Sequence, residues 1–94
     1  MTYIEKTFET KTGVSATVWI AGEVYVRPKK NKMVVTMEGF IDINAIAQGK
    51  KALGAKEHVV DYSPDEVLNK SISDWAYDEI LKITDWENAV KKSV

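Results

Sequence analysis

Apolar and polar residues alternate along the first two thirds of the chain, which is the pattern of half-buried β-strands. From Val14 to Val26 most alternate residues are apolar, and a second alternating run extends from Met33 to Ile43. Between them, Arg27–Lys32 contains a proline and an asparagine, and both residue types favour turns. We therefore predict a long β-hairpin in the middle of the chain, with its tip at residues 27–32.

The spacing of apolar residues also predicts how the two strands of this hairpin pair. Counting from the tip, the predicted partners are Val26 and Met33, Val24 and Val35, Gly22 and Met37, Ile20 and Gly39, and Val18 and Ile41. In this register each glycine faces a large side chain. On the other face, Trp19 becomes a cross-strand neighbour of Phe40. Tyr25 and Val34 are predicted to be neighbours on the face that also carries Trp19 and Phe40.

Shorter elements flank the hairpin. Thr2–Thr10 is predicted to be a strand that turns at Lys11–Gly13 into the hairpin. Residues Ala45–Lys51 lose the alternation and indicate either a bulge or one helical turn. Residues Ala52–Tyr62 then predict a weaker strand whose period is ambiguous.

The last third of the chain has helical features. Ser63–Glu66 matches a capping box with proline at the first helical position. The apolar residues that follow recur at helical spacing: Leu68, Ile72, Ala76, Ile80 and Ile83, with Trp75 beside them. Thr84–Glu87 matches a second capping box, which predicts a short terminal helix in which Trp86, Ala89 and Val90 pack back.

The predicted fold is therefore α+β. An antiparallel sheet of three to four strands, built around the long central hairpin, precedes one long and one short C-terminal helix. We expect a single domain over residues 1–94, with a β-sheet part at 1–62 and a helical part at 63–94.

The composition limits the chemistry available to the chain. It has 94 residues, no cysteine, one histidine and a formal net charge of -1. The charge argues against a dedicated nucleic-acid binder, and the missing cysteines exclude thiolate chemistry. His58 has no second histidine to work with. Asp74 and Asp78 share a helical face but lack a calcium-loop spacing. We predict a non-enzymatic protein without cofactor or metal.

Neither a secretory signal nor a membrane-spanning segment is expected. The first residues are polar, and no apolar run approaches the ~18 residues of a membrane span. These patterns predict an intracellular soluble protein.

Two features suggest contacts with other proteins. The residues Trp19, Tyr25 and Phe40 form a predicted aromatic face, which is either covered within the chain or exposed as an interaction surface. Next to it, the hairpin tip is basic: Arg27, Lys29, Lys30 and Lys32. These lysines either bind an acidic partner or keep the loop soluble and discourage edge pairing.

Charge is divided along the chain. Residues 1–60 hold 9 Lys/Arg against 6 Asp/Glu, and residues 61–94 hold 4 against 8. A basic sheet part and an acidic helical part could dock head to tail between copies, or neutralise each other within one chain.

Residues 16–90 resemble small phage and prophage tail-module proteins of similar length. The resemblance is carried by Met37–Asp42, by the small-residue stretch that ends at Gln48–Lys50, and by Thr84–Ala89. It implies a virion-associated or tail-region structural protein that acts through contacts with other phage structural proteins. It also implies a location in the host cytoplasm during assembly or in the virion. The two apolar sheet faces and the divided charge separately predict that the chain associates with itself. The alternative is a small monomeric accessory or ligand-binding domain with an apolar pocket between sheet and helix.

Overall fold

Five antiparallel strands form one sheet in the structure, a computed structural model that describes residues 1–63 and 70–93. In chain order the strands are β1 (Thr2–Glu9), β2 (Ser15–Arg27), β3 (Lys32–Phe40), β4 (Gly54–Asp61) and β5 (Val90–Ser93). Their order across the sheet is β4-β3-β2-β1-β5. The helices are α1 (Ile43–Ala47) and α2 (Ile72–Ile80), and short 3-10 turns occur at Pro28–Lys30 and Thr84–Trp86.

The α+β class and the central hairpin are confirmed, as are the strands predicted on either side of it. The region predicted to be a bulge or a helical turn is helix α1. The carboxylate of Asp42 starts this helix by accepting a hydrogen bond from the backbone N–H of Ala45 at 2.9 Å. Such N-caps satisfy a backbone donor that the first helical turn leaves unpaired.

The end of the chain differs from the prediction. Thr84–Trp86 forms a single 3-10 turn without a side-chain cap, although Thr84–Glu87 matches the capping-box pattern. Asn88 then takes a left-handed φ of 68°, which redirects the chain into β5. The predicted short terminal helix and the sheet of three to four strands are therefore wrong, because a fifth strand pairs with β1.

The predicted long helix begins near residue 63, and within the described residues it corresponds to α2. The N-cap of α2 is Ser71, whose hydroxyl accepts from the backbone N–H of Asp74 at 3.1 Å. The capping box predicted at Ser63–Glu66 lies mostly outside the described residues. The buried residues of α2 are Trp75, Ala76, Tyr77 and Ile80. Ile72, from the predicted apolar stripe, is 44% exposed.

A β-bulge at Gly22 shifts the register of β2 against β3 by one residue. The predicted pairs on the tip side of the bulge are confirmed: Val26 with Met33, Val24 with Val35, and Tyr25 with Val34. The pairs predicted beyond it are wrong: Gly22 with Met37, Ile20 with Gly39, Val18 with Ile41, and Trp19 with Phe40. Because side chains alternate between faces, a one-residue shift exchanges the two faces of a strand. Trp19 therefore turns to the core and lies opposite Gly39.

The core lies between one face of the sheet and the segment that contains α2 and Trp86. Its largest fully buried side chains are Trp19, Trp86, Ile4, Met33, Met37, Ile80 and Val35. Trp86 makes edge-to-face contacts with Phe8 and Trp19 at centroid distances of 4.8 and 5.5 Å. This geometry is favourable for aromatic pairs and adds to the burial of their apolar area.

The hydroxyl of Tyr77 connects α2 to the sheet next to the bulge. It accepts a hydrogen bond from the backbone N–H of Ala21 at 2.9 Å and donates one to the carbonyl of Thr2 at 3.0 Å. Burial raises the pKa of Tyr77, so the phenol stays neutral and keeps its proton for the Thr2 carbonyl. The hydroxyl thus satisfies two backbone groups that would otherwise be costly to bury.

Candidate interaction surface

The structure separates the three aromatic residues of the predicted interaction surface. Trp19 is 1% exposed and belongs to the core. Phe40 is on the opposite side of the sheet but is 5% exposed, directly paired with the buried Val18. Tyr25 is 60% exposed. Only Tyr25 of the three can contact a partner without a change of fold.

Tyr25 belongs to an exposed patch that we call the open face. This is the side of β2, β3 and β4 that points away from the core, at the end near the hairpin tip. Tyr25 pairs with Val34, and Val34 pairs with Val59. We call these three residues the apolar row. Val59 is 60% exposed, like Tyr25.

Charged residues flank the apolar row on both sides. On the side of the hairpin tip, the paired residues are Arg27, Lys32 and Asp61, which we call the tip-side row. On the other side they are Glu23, Thr36 and Glu57, which we call the base-side row. A shallow hollow of about 220 Å³ lies between these rows, lined in part by Tyr25, Val34 and Glu57.

The basic tip is built as a tight turn. Pro28–Lys30 is a 3-10 turn, and Asn31 takes a left-handed φ of 52° before β3 begins. Lys29 and Lys30 are exposed. Lys32 forms an ion pair of 2.5 Å with Asp61, and its hydrogen bond and charge lower the pKa of that carboxyl group. Arg27 lies over the ring of Tyr25, with 5.8 Å from its guanidinium carbon to the ring centroid.

Of the predicted surface residues, the structure brings together Tyr25, Arg27 and Lys32 on the open face. The contribution of β4 to this surface is not among the sequence predictions, because the period of residues 52–62 is ambiguous. The alternation of Glu57, Val59 and Asp61 was the available signal, and it places all three on one side of a strand.

His58 lies on the core-facing side of β4 and has a specific partner. Its Nε2 accepts a hydrogen bond from the indole N–H of Trp86 at 2.9 Å, so the proton of the neutral ring is on Nδ1. Burial is the main reason that the pKa of His58 is lowered. The positive charge of Lys56 lowers it further, and the negative charge of Asp85 opposes the shift.

We expect the stability of the protein to fall as the pH drops below about 6.5, the ordinary pKa of histidine. Because the pKa of His58 is lower in the folded chain, the unfolded chain binds the proton more readily in this range. Protonation would also place a second donor against Trp86. Denaturant unfolding at a series of pH values between 7 and 5 measures the effect.

The matched control for this titration is His58→Gln, whose amide oxygen can accept from Trp86 but does not titrate. The variant should lose most of the pH dependence between 6.5 and 5. An identical pH profile in both proteins would contradict the role given to His58.

Asp78, one of the two aspartates that share a face of the predicted helix, forms ion pairs with two lysines. Asp78 contacts Lys70 and lies 2.9 Å from the Nζ of Lys91. The pKa of Asp78 is lowered, since the hydrogen bonds and charges of these lysines together outweigh the opposing effect of burial. Within residues 1–63 and 70–93, no three His, Asp or Glu side chains come together in a group that could hold a metal ion.

Comparisons of the chain with protein-family models, with curated proteins and with solved structures found no match.

Helices α1 and α2 have 5 and 9 residues, and no helix in the described part of the chain is long and apolar enough to cross a membrane.

Proposed function

We propose that this domain is a non-enzymatic assembly protein that associates with itself through the open face of its sheet. The observation that supports the proposal most directly is the apolar row, in which Tyr25 and Val59 lie on either side of Val34 and are each 60% exposed. Neighbouring exposed apolar side chains with a charged rim are typical of protein contact sites.

The arrangement of the core favours this function over a ligand pocket between sheet and helix. Met33, Val35 and Met37 project from the sheet toward the core and are completely buried. Ile80 of α2 is equally buried in the same cluster. The side chains that would line such a pocket therefore pack against one another. His58, the one residue suited to acid–base chemistry near neutral pH, uses its Nε2 as the acceptor for Trp86.

The setting we propose is a phage or prophage assembly, in which partners are further copies or other phage structural proteins. This part of the proposal is supported by the resemblance of Met37–Asp42, Gln48–Lys50 and Thr84–Ala89 to small tail-module proteins.

The experiment is sedimentation velocity over a wide range of protein concentrations. We expect a concentration-dependent mass above the 10.6 kDa of one chain. The double variant Tyr25→Lys and Val59→Lys should remain monomeric, because it places two charges in the apolar row. Val14→Lys is the control for each single substitution, since Val14 is also exposed, at 43%, but lies outside the open face.

A wild-type protein that is monomeric at every concentration would contradict self-association. Equal loss of association in Val14→Lys and in the double variant would show that added charge, and not the open face, is responsible.

A further inference from the structure

The charges of the open face are arranged with opposite sign on the two sides of the apolar row. In the tip-side row, Arg27 and Lys32 exceed Asp61 by one positive charge. The base-side row carries two negative charges, from Glu23 and Glu57. The charges of two such surfaces are complementary when the strands of the second copy run in the opposite direction to those of the first.

We propose that the open face binds the open face of a second copy in a symmetric dimer. The two-fold axis lies between the two sheets, perpendicular to the strands and parallel to the apolar row. This axis places the apolar row of one copy on that of the other, and each tip-side row on the partner's base-side row. Arg27 then faces the partner's Glu23, and this pair occurs twice. The inference rests on the proposed function, because it specifies the partner and the orientation for the same surface.

Strand geometry makes these contacts feasible. Residues two apart on a strand are separated by about 6.8 Å, so Arg27 and Glu23 lie at nearly equal distances on either side of Tyr25. Facing sheets pack about 10 Å apart, a gap that the side chains of arginine and glutamate span together. A reversal about the apolar row thus aligns the two charged rows.

The other two-fold orientation, with the axis along the strands, is less favourable. It would place each charged row on the same row of the partner. Arg27 would then face the partner's Asp61, an attractive pair, but Lys32 already offsets the charge of Asp61. Lys32 would face the partner's Lys32, and Glu23 would face the partner's Glu57, so both of these contacts join like charges. Like charges in such an interface are costly. In the reversed orientation, Asp61 and the partner's Glu57 also come near each other, but Lys32 is ion-paired with Asp61 and offsets its charge.

The size of the open face indicates a weak dimer. Three strands over about five residues cover about 14 by 17 Å, or about 240 Å², compared with ~800 Å² per partner in a stable interface. The association is therefore expected at high protein concentration, and it should weaken as salt screens the charged rows.

Charge reversal tests the orientation. Arg27→Glu and Glu23→Arg should each weaken self-association by roughly tenfold or more, because each places like charges opposite one another twice. An equimolar mixture of the two variants should associate as a heterodimer, because both contacts then join opposite charges. Sedimentation velocity of each variant alone and of the mixture measures this directly.

Lys11→Glu is the control for Arg27→Glu, since it makes the same change of charge at an exposed position in the turn between β1 and β2. It should leave association within about twofold of wild type. If wild type associates but the mixed variants do not recombine, the orientation is wrong and the proposed function stands. Stronger association in Glu23→Arg would favour the axis along the strands. A monomeric wild type would overturn both proposals.

Discussion

Replacing Trp86 with alanine is expected to destabilise the protein by ~3–5 kcal/mol, the usual cost of removing a large aromatic side chain from a core. Trp86 is fully buried, although it lies in a short 3-10 turn and not in a long element. Its ring contacts Phe8, Trp19 and His58. For a domain of this size, such a loss is a large part of the total free energy of unfolding. Urea unfolding followed by circular dichroism measures it.

Two variants separate the causes of this loss. Trp86→Phe keeps an aromatic ring but removes the indole N–H that donates to Nε2 of His58. It should lower the free energy of unfolding clearly less than Trp86→Ala does. Tyr25→Ala removes an aromatic side chain that is 60% exposed, and should change the stability by no more than ~0.5 kcal/mol. A cost below ~1 kcal/mol for Trp86→Ala would be incompatible with a fully buried ring.

Replacing Gly39 with alanine is expected to destabilise the protein by ~1–3 kcal/mol through overpacking. A Cβ atom at this position would lie 2.6 Å from the Cη2 atom of Trp19. The Trp19 ring cannot move away easily, because it contacts Phe8 and Trp86 and its indole N–H donates to the carbonyl of Lys6 at 2.9 Å. The midpoint of denaturant unfolding should fall accordingly.

Gly22→Ala is the matched control for this substitution. Its Cβ would meet the Oε1, Cδ and Cγ atoms of Glu38, a half-buried residue. This unbranched side chain can adopt another rotamer more easily than the packed Trp19 ring can move, so the cost should be smaller than at Gly39. The effect at Gly39 should also shrink in a Trp19→Phe background, where the atoms nearest the new Cβ are absent. Additive effects of Gly39→Ala and Trp19→Phe would show that the two positions are not coupled.

The strands of the central hairpin could be predicted because local alternation determines them, but the bulge could not. Both Trp19 and Ile20 are apolar, so the pattern remains acceptable whichever of the two faces the core. The choice depends on the space above Gly39 and on the Tyr77 hydroxyl that binds the backbone of Ala21, and both involve residues distant in sequence.

Strand β5 was missed for a different reason. Its sequence, Val90–Ser93, contains two lysines and one large apolar residue, so it carries no alternating pattern. Strand β5 pairs with the backbone of β1, and its lysines form ion pairs with Glu5 and Asp78. An alternating apolar pattern reports neither kind of contact. The candidate surface was predicted in part, since Tyr25, Arg27 and Lys32 are close in sequence, whereas Val59 depends on the register of β4.

The pairing of β1 with β5 also has a consequence for the order of folding. Every other strand pair joins neighbours along the chain, whereas Thr2 and Ser93 are opposite each other across nearly the whole sequence. Closing so long a loop has the largest entropic penalty, so this pairing is gained only after the intervening strands have brought its two halves together. Because β5 is also a short edge strand whose four residues are all exposed, we expect its amide hydrogens to exchange with solvent sooner than those of the central strands.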